Sequence, residues 1–234
     1  MAVGRSRRGI SRPAKGDGVG HKAGSAAALM GPEVAVRIRP VQKRAIRTVD
    51  LILDTAAVLL GEVGVDAFNT NLLAERAGVA VRSVYRYFPN KFGVIVALYE
   101  RHGRAWEPHF DRMRAGLGDP DQSLLEVWET YIDDYVVYLE QEAGWAIRPA
   151  VQALPQLRDI DRRNNIKRAR KIAAALRARG SLEGKRRLEE VGHLLLETAT
   201  AAIDESWNRF GRVPRAVAEE LKRMHRSYLA HYIP

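Results

Sequence analysis

Cysteine is absent from all 234 residues. Its absence excludes disulfide frameworks, thiolate zinc sites and a cysteine nucleophile, and it suits a chain that works in a reducing compartment. Long apolar runs are missing as well. A spanning helix needs about 18–20 apolar residues, and the longest apolar faces here are interrupted by charge at helical spacing. Arg5, Arg7 and Arg8 precede a small-residue stretch over 23–30 that contains glycine and serine, too short and too weakly apolar for a secretory signal core. The expected location is therefore cytoplasmic, with no membrane role.

Catalytic and metal-binding patterns are equally scarce. His102 and His109 stand seven positions apart across Pro108, and the other histidines make no ligand set. No glycine loop suited to cradling phosphate occurs, and no nucleophile elbow. Asp133 and Asp134 are neighbours on a predicted helix, so their side chains diverge and a solvated face explains them better than paired catalysis. No enzyme activity, cofactor or metal is expected. Credible strand runs and internal repeats are also lacking, which leaves an all-α fold.

What the chain does have is positive charge: 38 Lys and Arg against 28 Asp and Glu, a formal net charge of +10. Such an excess points to a polyanionic partner. Residues 1–38 are rich in Gly, Ser, Ala, Arg and Lys, contain Pro13 and Pro32, and show no sustained period. They are expected to form a disordered basic tail, either a solvated extension or an arm that adds phosphate contacts.

From Val41 the pattern changes. Ile46, Val49, Leu53, Ala56, Ala57 and Leu60 recur at helical spacing with charges between them, predicting an amphipathic helix that ends over 61–64, where Gly64 can turn left-handed. Asn69 is a cap for a short helix reaching Ala77, with Leu73 and Ala74 inward. Gly78 supplies a turn, and a third helix spans 81–88 before Pro89 stops it. A fourth helix starts after Asn90 and should be disrupted by Pro108 near Trp106. Asp119, Pro120 and Gln122 form a start signal for a fifth helix over 119–143, closed by Gly144. Further helices are predicted over 146–154, 157–179, 182–210 and 214–232.

Three short helices with a glycine turn before the third fit a helix-turn-helix. The runs Asn69-Thr70-Asn71-Leu72-Leu73-Ala74-Glu75-Arg76-Ala77-Gly78-Val79 and Val84-Tyr85-Arg86-Tyr87-Phe88-Pro89-Asn90-Lys91 make it specific. Over about 43–101 the sequence closely resembles the TetR/AcrR family of bacterial regulators; beyond that the likeness is one of length and helical character. On a helical wheel Val81, Val84 and Phe88 share a face while Arg82, Ser83 and Arg86 point the other way. A recognition helix presents its N-terminal residues to base edges, which places Val81, Arg82 and Ser83 there. Arg82 is the strongest reader because its fork matches the two acceptors of guanine, and Arg86 can reach base or phosphate. The resemblance implies that Tyr85 and Tyr87 bind phosphates and that Asn69, Thr70 and Lys91 anchor the backbone at helix starts. Arg39, Lys43, Arg44 and Arg47 extend these contacts. The chain departs from the family at Ala80, often a serine cap, and at Arg82, often glycine.

The expected organisation is a tail over 1–38, a three-helix helix-turn-helix DNA-binding domain over 39–90, and a helical ligand-binding and dimerisation domain over 91–234. Trp128, Tyr131, Tyr135 and Tyr138 fall on one stripe, a pattern that is ordinarily core. The resemblance places an effector cavity in this region, which makes Trp106, Phe110, Trp128, Tyr131, Tyr135 and Trp145 candidate walls for a small-molecule effector. Apolar faces on the last two helices (Leu188, Val191, Leu195, Ala199, Ala202 and Ile203, then Val217, Leu221, Met224 and Tyr228) suggest a four-helix bundle with a second copy. The leading reading is thus a homodimeric, ligand-responsive regulator, a repressor released from a palindromic operator in double-stranded DNA. Two others stay open: a helical small-molecule carrier or enzyme with an incidental basic tail, and a constitutive architectural DNA-binding protein.

Overall fold

A computed structural model of the chain describes residues 41–141 and 144–232. The predicted tail and Arg39 lie outside the described residues, as does the predicted end of the fifth helix at Ala143. Among the described residues every regular element is helical, and no helix is long and apolar enough to cross a membrane.

The order is α1 Lys43–Ala67, α2 Thr70–Arg76, α3 Val81–Tyr87, α4 Lys91–Gly118, α5 Leu124–Gln141, a single 3₁₀ turn Gly144–Ala146, α6 Ile147–Ala153, α7 Pro155–Ala178, α8 Lys185–Phe210 and α9 Arg215–Leu229. Gly64 takes φ 69°, as its position predicts, yet α1 kinks there and continues to Ala67 instead of ending. Ile46, expected on the apolar face, is 40% exposed; the buried stripe consists of Ile52, Leu53, Ala56, Ala57, Leu59 and Leu60.

Two further expectations are corrected. Pro108 does not break α4, which passes through it. Proline removes one amide donor and crowds the preceding turn, but Trp106, Phe110, Met113 and Leu117 on the same helix are all buried, and their burial outweighs that local cost. The Asp119 signal does not start a helix either. The Asp119 carboxylate accepts from the Asp121 amide at 3.0 Å and from the Gln122 side chain at 2.9 Å, closing a turn, and α5 begins at Leu124 behind Ser123.

Among the described residues two hydrophobic cores form. The first joins α1, α2 and α3 to the opening turns of α4 (Val94 to Tyr99), to Ile147, Ala150 and Val151 of α6, and to Leu157 and Ile160 of α7. The second joins the latter half of α4 to α5, α7, α8 and α9. Helix α4 therefore runs through both, and α6 leans on the first.

Helices α7 and α8 cross closely at Gly192. A Cβ there would sit 2.8 Å from the Ala169 carbonyl oxygen, a backbone atom that cannot move without separating the helices. Gly192→Ala is expected to destabilise the chain by about 1–3 kcal/mol. Gly103→Ala, where nothing lies within 4 Å of the added carbon, should instead gain about 0.5–1 kcal/mol from improved helix propensity. Urea denaturation of both variants checks the opposite signs.

Candidate functional site

The helix-turn-helix is built from local signals. Asn69 accepts from the amides of Asn71 at 3.1 Å and Leu72 at 2.9 Å, which fixes the start of α2. Gly78, at φ 65°, makes the turn that α3 follows. Leu73, Val84 and Phe88 are fully buried between the helices, which orients α3 on the head. The Thr70 hydroxyl donates to the Tyr85 hydroxyl at 3.0 Å and ties α2 to α3.

This packing sorts the candidate DNA contacts. Arg44, Asn69, Arg82 and Arg86 are exposed, as are Val81 at 38% and Tyr85 at 40%, while Ser83 is half-buried. Arg82 forms no ion pair among the described residues, so its donors face water. Between Asn69 and Phe92 the cations Arg76, Arg82, Arg86 and Lys91 meet one acid, Glu75, and Arg76 is held by Glu62 at 3.0 Å. Two candidates face inward, and a third, half-buried, is tied to the backbone. Thr70 is buried and engaged with Tyr85. Tyr87 is 4% exposed and packs edge-on against Phe88. Lys91 donates to the carbonyls of Val65 at 3.0 Å and Asp66 at 3.4 Å, at the end of α1.

The second feature is a partly open cavity walled by α4, α5, α6, α7 and α8, with about 60 Å³ open to the centres of water molecules. Trp106, Tyr131 and Tyr135 line it. The other three candidate walls are elsewhere. Phe110 lies in the second core beneath the Arg168 and Lys171 cations. Trp128 donates to His225 Nδ1 at 2.9 Å, and Trp145 stacks on Trp207 with ring centroids 3.9 Å apart.

The polar part of the wall escaped sequence reading. Arg148 is 7% exposed and grips Asp204 with two bonds, Nε to Oδ1 at 2.9 Å and Nη2 to Oδ2 at 2.7 Å, while Nη1 reaches Asp161 at 3.4 Å. Asp161 also accepts from the Tyr99 hydroxyl at 2.9 Å. Burial pushes the Tyr135 hydroxyl up to about 12, so it remains a donor. Burial, reinforced by Arg148 and Arg168, holds His102 down to about 4 and therefore neutral. The one sequence signal was a lone arginine in the apolar run 145–151; its aspartate partners lie in other helices, which no local pattern reveals.

The apolar face of α8 is largely spent within the chain, whereas on α9 Val217 and Tyr228 stay half-buried. Leu188, Val191, Leu195, Ala199 and Ile203 of α8 and Leu221 of α9 are buried in the second core, whereas Leu194 at 47% and Met224 at 49% remain exposed.

Comparison with known proteins places both halves. Residues 52–98 match the family model for bacterial regulatory proteins of the tetR family, and residues 123–233 match that for the tetracyclin repressor-like C-terminal domain. The HTH-type transcriptional repressor KstR of Mycolicibacterium smegmatis is 36% identical over 73 residues, which cover 31% of this chain and 36% of that protein. KstR of Rhodococcus jostii is 36% identical over 76 residues, 32% of each chain. The match thus spans about a third of these curated relatives. Among solved structures, a TetR-family transcriptional regulator from Streptomyces coelicolor superposes with a TM-score of 0.57 at 25% identity, covering 80% of this chain and 99% of that one. SmeT, the repressor of the Stenotrophomonas maltophilia multidrug efflux pump SmeDEF, shares the fold with a TM-score of 0.64 at 19% identity, covering 80% and 90%. With a tetR-type head built around α2 and α3 and a matching C-terminal half, this chain belongs to the TetR family of bacterial regulatory proteins.

Proposed function

We propose that the chain is a cytoplasmic, homodimeric repressor that holds a palindromic operator through α2 and α3 and is released by a small molecule bound in the cavity behind them. On this reading residues 39–90 carry the DNA contacts and residues 91–234 the effector and dimer contacts. The observation that carries it is the sharing of two helices. Tyr99 of α4 belongs to the first core and also lines the cavity, four residues before Gly103 in the same wall. On α6, Ile147, Ala150 and Val151 pack in the first core while Arg148 lines the cavity. A ligand that displaces these walls displaces the head.

The linkage has a size. Shifting the head from 1:99 to 99:1 between two spacings needs about 5.5 kcal/mol of differential ligand affinity, and ligand and operator must then oppose each other reciprocally. Dimer symmetry should set two recognition helices about 34 Å apart, in successive major grooves.

Selection from a random duplex pool, followed by titration at stated salt, tests the reading. A palindromic site bound by two chains is the expected product. Arg82→Ala should relax preference at one position of each half-site by about 1–3 kcal/mol, whereas Arg44→Ala should weaken every sequence alike and lower the salt slope by about 1. Equal affinity for all duplexes would mark an architectural DNA protein instead. Uniform weakening by Arg82→Ala would move that side chain from bases to phosphate.

A further inference from the structure

The cavity has a chemistry of its own, and its charged groups are not equally occupied. Asp161 is engaged by Tyr99 and Arg148, and both oxygens of Asp204 are taken by Arg148. Arg168 differs: its one hydrogen bond among the described residues is a 3.4 Å contact to Glu107, and Lys171 holds that same carboxylate more closely at 3.0 Å. Of the five guanidinium N–H donors, most are left over on a residue that lines the cavity. The Tyr135 hydroxyl, in the same wall, makes no hydrogen bond among the described residues. Trp106 lines the cavity beside them, with one face of its ring stacked on His109 at 4.6 Å between centroids.

Asn164 and Asn165 add neutral side-chain oxygens to the wall, but among its charged groups the carboxylates are engaged and Arg168 keeps free donors, which favours an anion. A cationic ligand would find aromatic faces here, but the carboxylates that should neutralise it already have partners. Size narrows the class further. At roughly 10–15 Å³ of centre space per water, the cavity holds roughly four to six waters, or roughly 120–180 Å³ of liquid. That is room for a single ring.

We propose that this cavity binds a small single-ring carboxylic acid, its carboxylate on the Arg168 guanidinium and the Tyr135 hydroxyl and its ring against Trp106. The assignment rests on the effector reading given under Proposed function but is tested separately from it. Planar carboxylates suit guanidinium forks, and charge-assisted bonds are about twice as strong as neutral ones.

The test uses the full chain and three probes with one ring in common: benzoate, benzamide and benzylamine. Calorimetry should show benzoate binding at least tenfold more tightly than the other two, with a matching rise in melting temperature. Arg168→Gln should lose at least tenfold in benzoate affinity. Because Arg168 also packs over Phe110, circular dichroism must accompany that variant. Tyr135→Phe, which deletes one oxygen, should lose severalfold and keeps the test decisive if the first variant is unfolded. Binding of benzamide or benzylamine as tight as benzoate, unchanged benzoate affinity in folded Arg168→Gln or in Tyr135→Phe, or no binding of benzoate would each overturn the assignment. Operator titration separates the two readings. Benzoate that binds without releasing DNA leaves the acid site standing and sinks induction, while release by another compound with no benzoate binding does the reverse.

Discussion

Replacing Arg148 by methionine is expected to destabilise the folded chain by about 3–5 kcal/mol, a fall in Tm of roughly 6–20 °C for a chain of this size. The ion cluster itself is not the source of that stability. Burying a cation with two carboxylates costs nearly as much desolvation as their attraction returns. The large effect comes from breaking it, because Asp204, 8% exposed, keeps its charge and loses both of its bonds to Arg148. Asp161 loses its 3.4 Å contact but retains Tyr99. Two measurements distinguish this from simple loss of packing. First, the difference between wild type and variant should shrink as pH falls towards 4, because orphaned buried carboxylates have raised pKa values and the folded variant takes up protons that relieve the penalty. Second, Arg148→Met combined with Asp204→Asn should recover part of the loss, since the second change removes the uncompensated charge. A pH-independent difference together with no recovery would mean that Arg148 contributes through its hydrocarbon stem alone.

Acidification from pH 7 to pH 4 should remove about 3 kcal/mol of stability through His225. Its imidazole is 2% exposed in the second core's edge between α5, α8 and α9. Trp128 donates to Nδ1 at 2.9 Å, so that nitrogen carries no proton, and Nε2 lies 2.8 Å from the Thr198 hydroxyl. Protonating Nδ1 would set two donors face to face. Burial accordingly holds the pKa down to about 4. The folded-state value lies below the ordinary 6.5, so the contribution is fully present above about 6.5 and is lost as pH falls through about 4. Between those values the unfolded chain binds a proton that the folded chain does not, and the gap corresponds to about 3 kcal/mol. His102, also pushed down to about 4, adds in the same direction. Urea denaturation at a series of pH values checks this: the profile of His225→Gln should be flatter than wild type between pH 4 and 6.5. Parallel profiles would assign the acid sensitivity to other groups.

The sequence by itself determined the reading head. Asn69 as a cap, Gly78 as a turn, Pro89 as a stop and the spacing of Leu73, Val84 and Phe88 act between residues less than twenty positions apart, and backbone sterics with nearest-neighbour packing are enough to enforce them. The all-helical character follows from the same short-range periodicity. Where local signals met a strong tertiary demand, the tertiary demand won. Pro108 stays inside α4 because buried side chains on both sides of it hold the helix straight through. Thr70 and Lys91, at helix starts, acquire partners that no local signal names: Tyr85 fifteen residues on for the first, and carbonyls twenty-five and twenty-six residues back for the second. Only the tertiary structure could decide the cavity wall. Arg148 finds Asp204 across fifty-six residues and Asp161 across thirteen, and Tyr99 finds Asp161 across sixty-two. Single charges scattered through amphipathic helices look the same whether they end in water or in a buried cluster; the difference is set by which helix packs opposite, and that depends on the total apolar area buried by the whole chain.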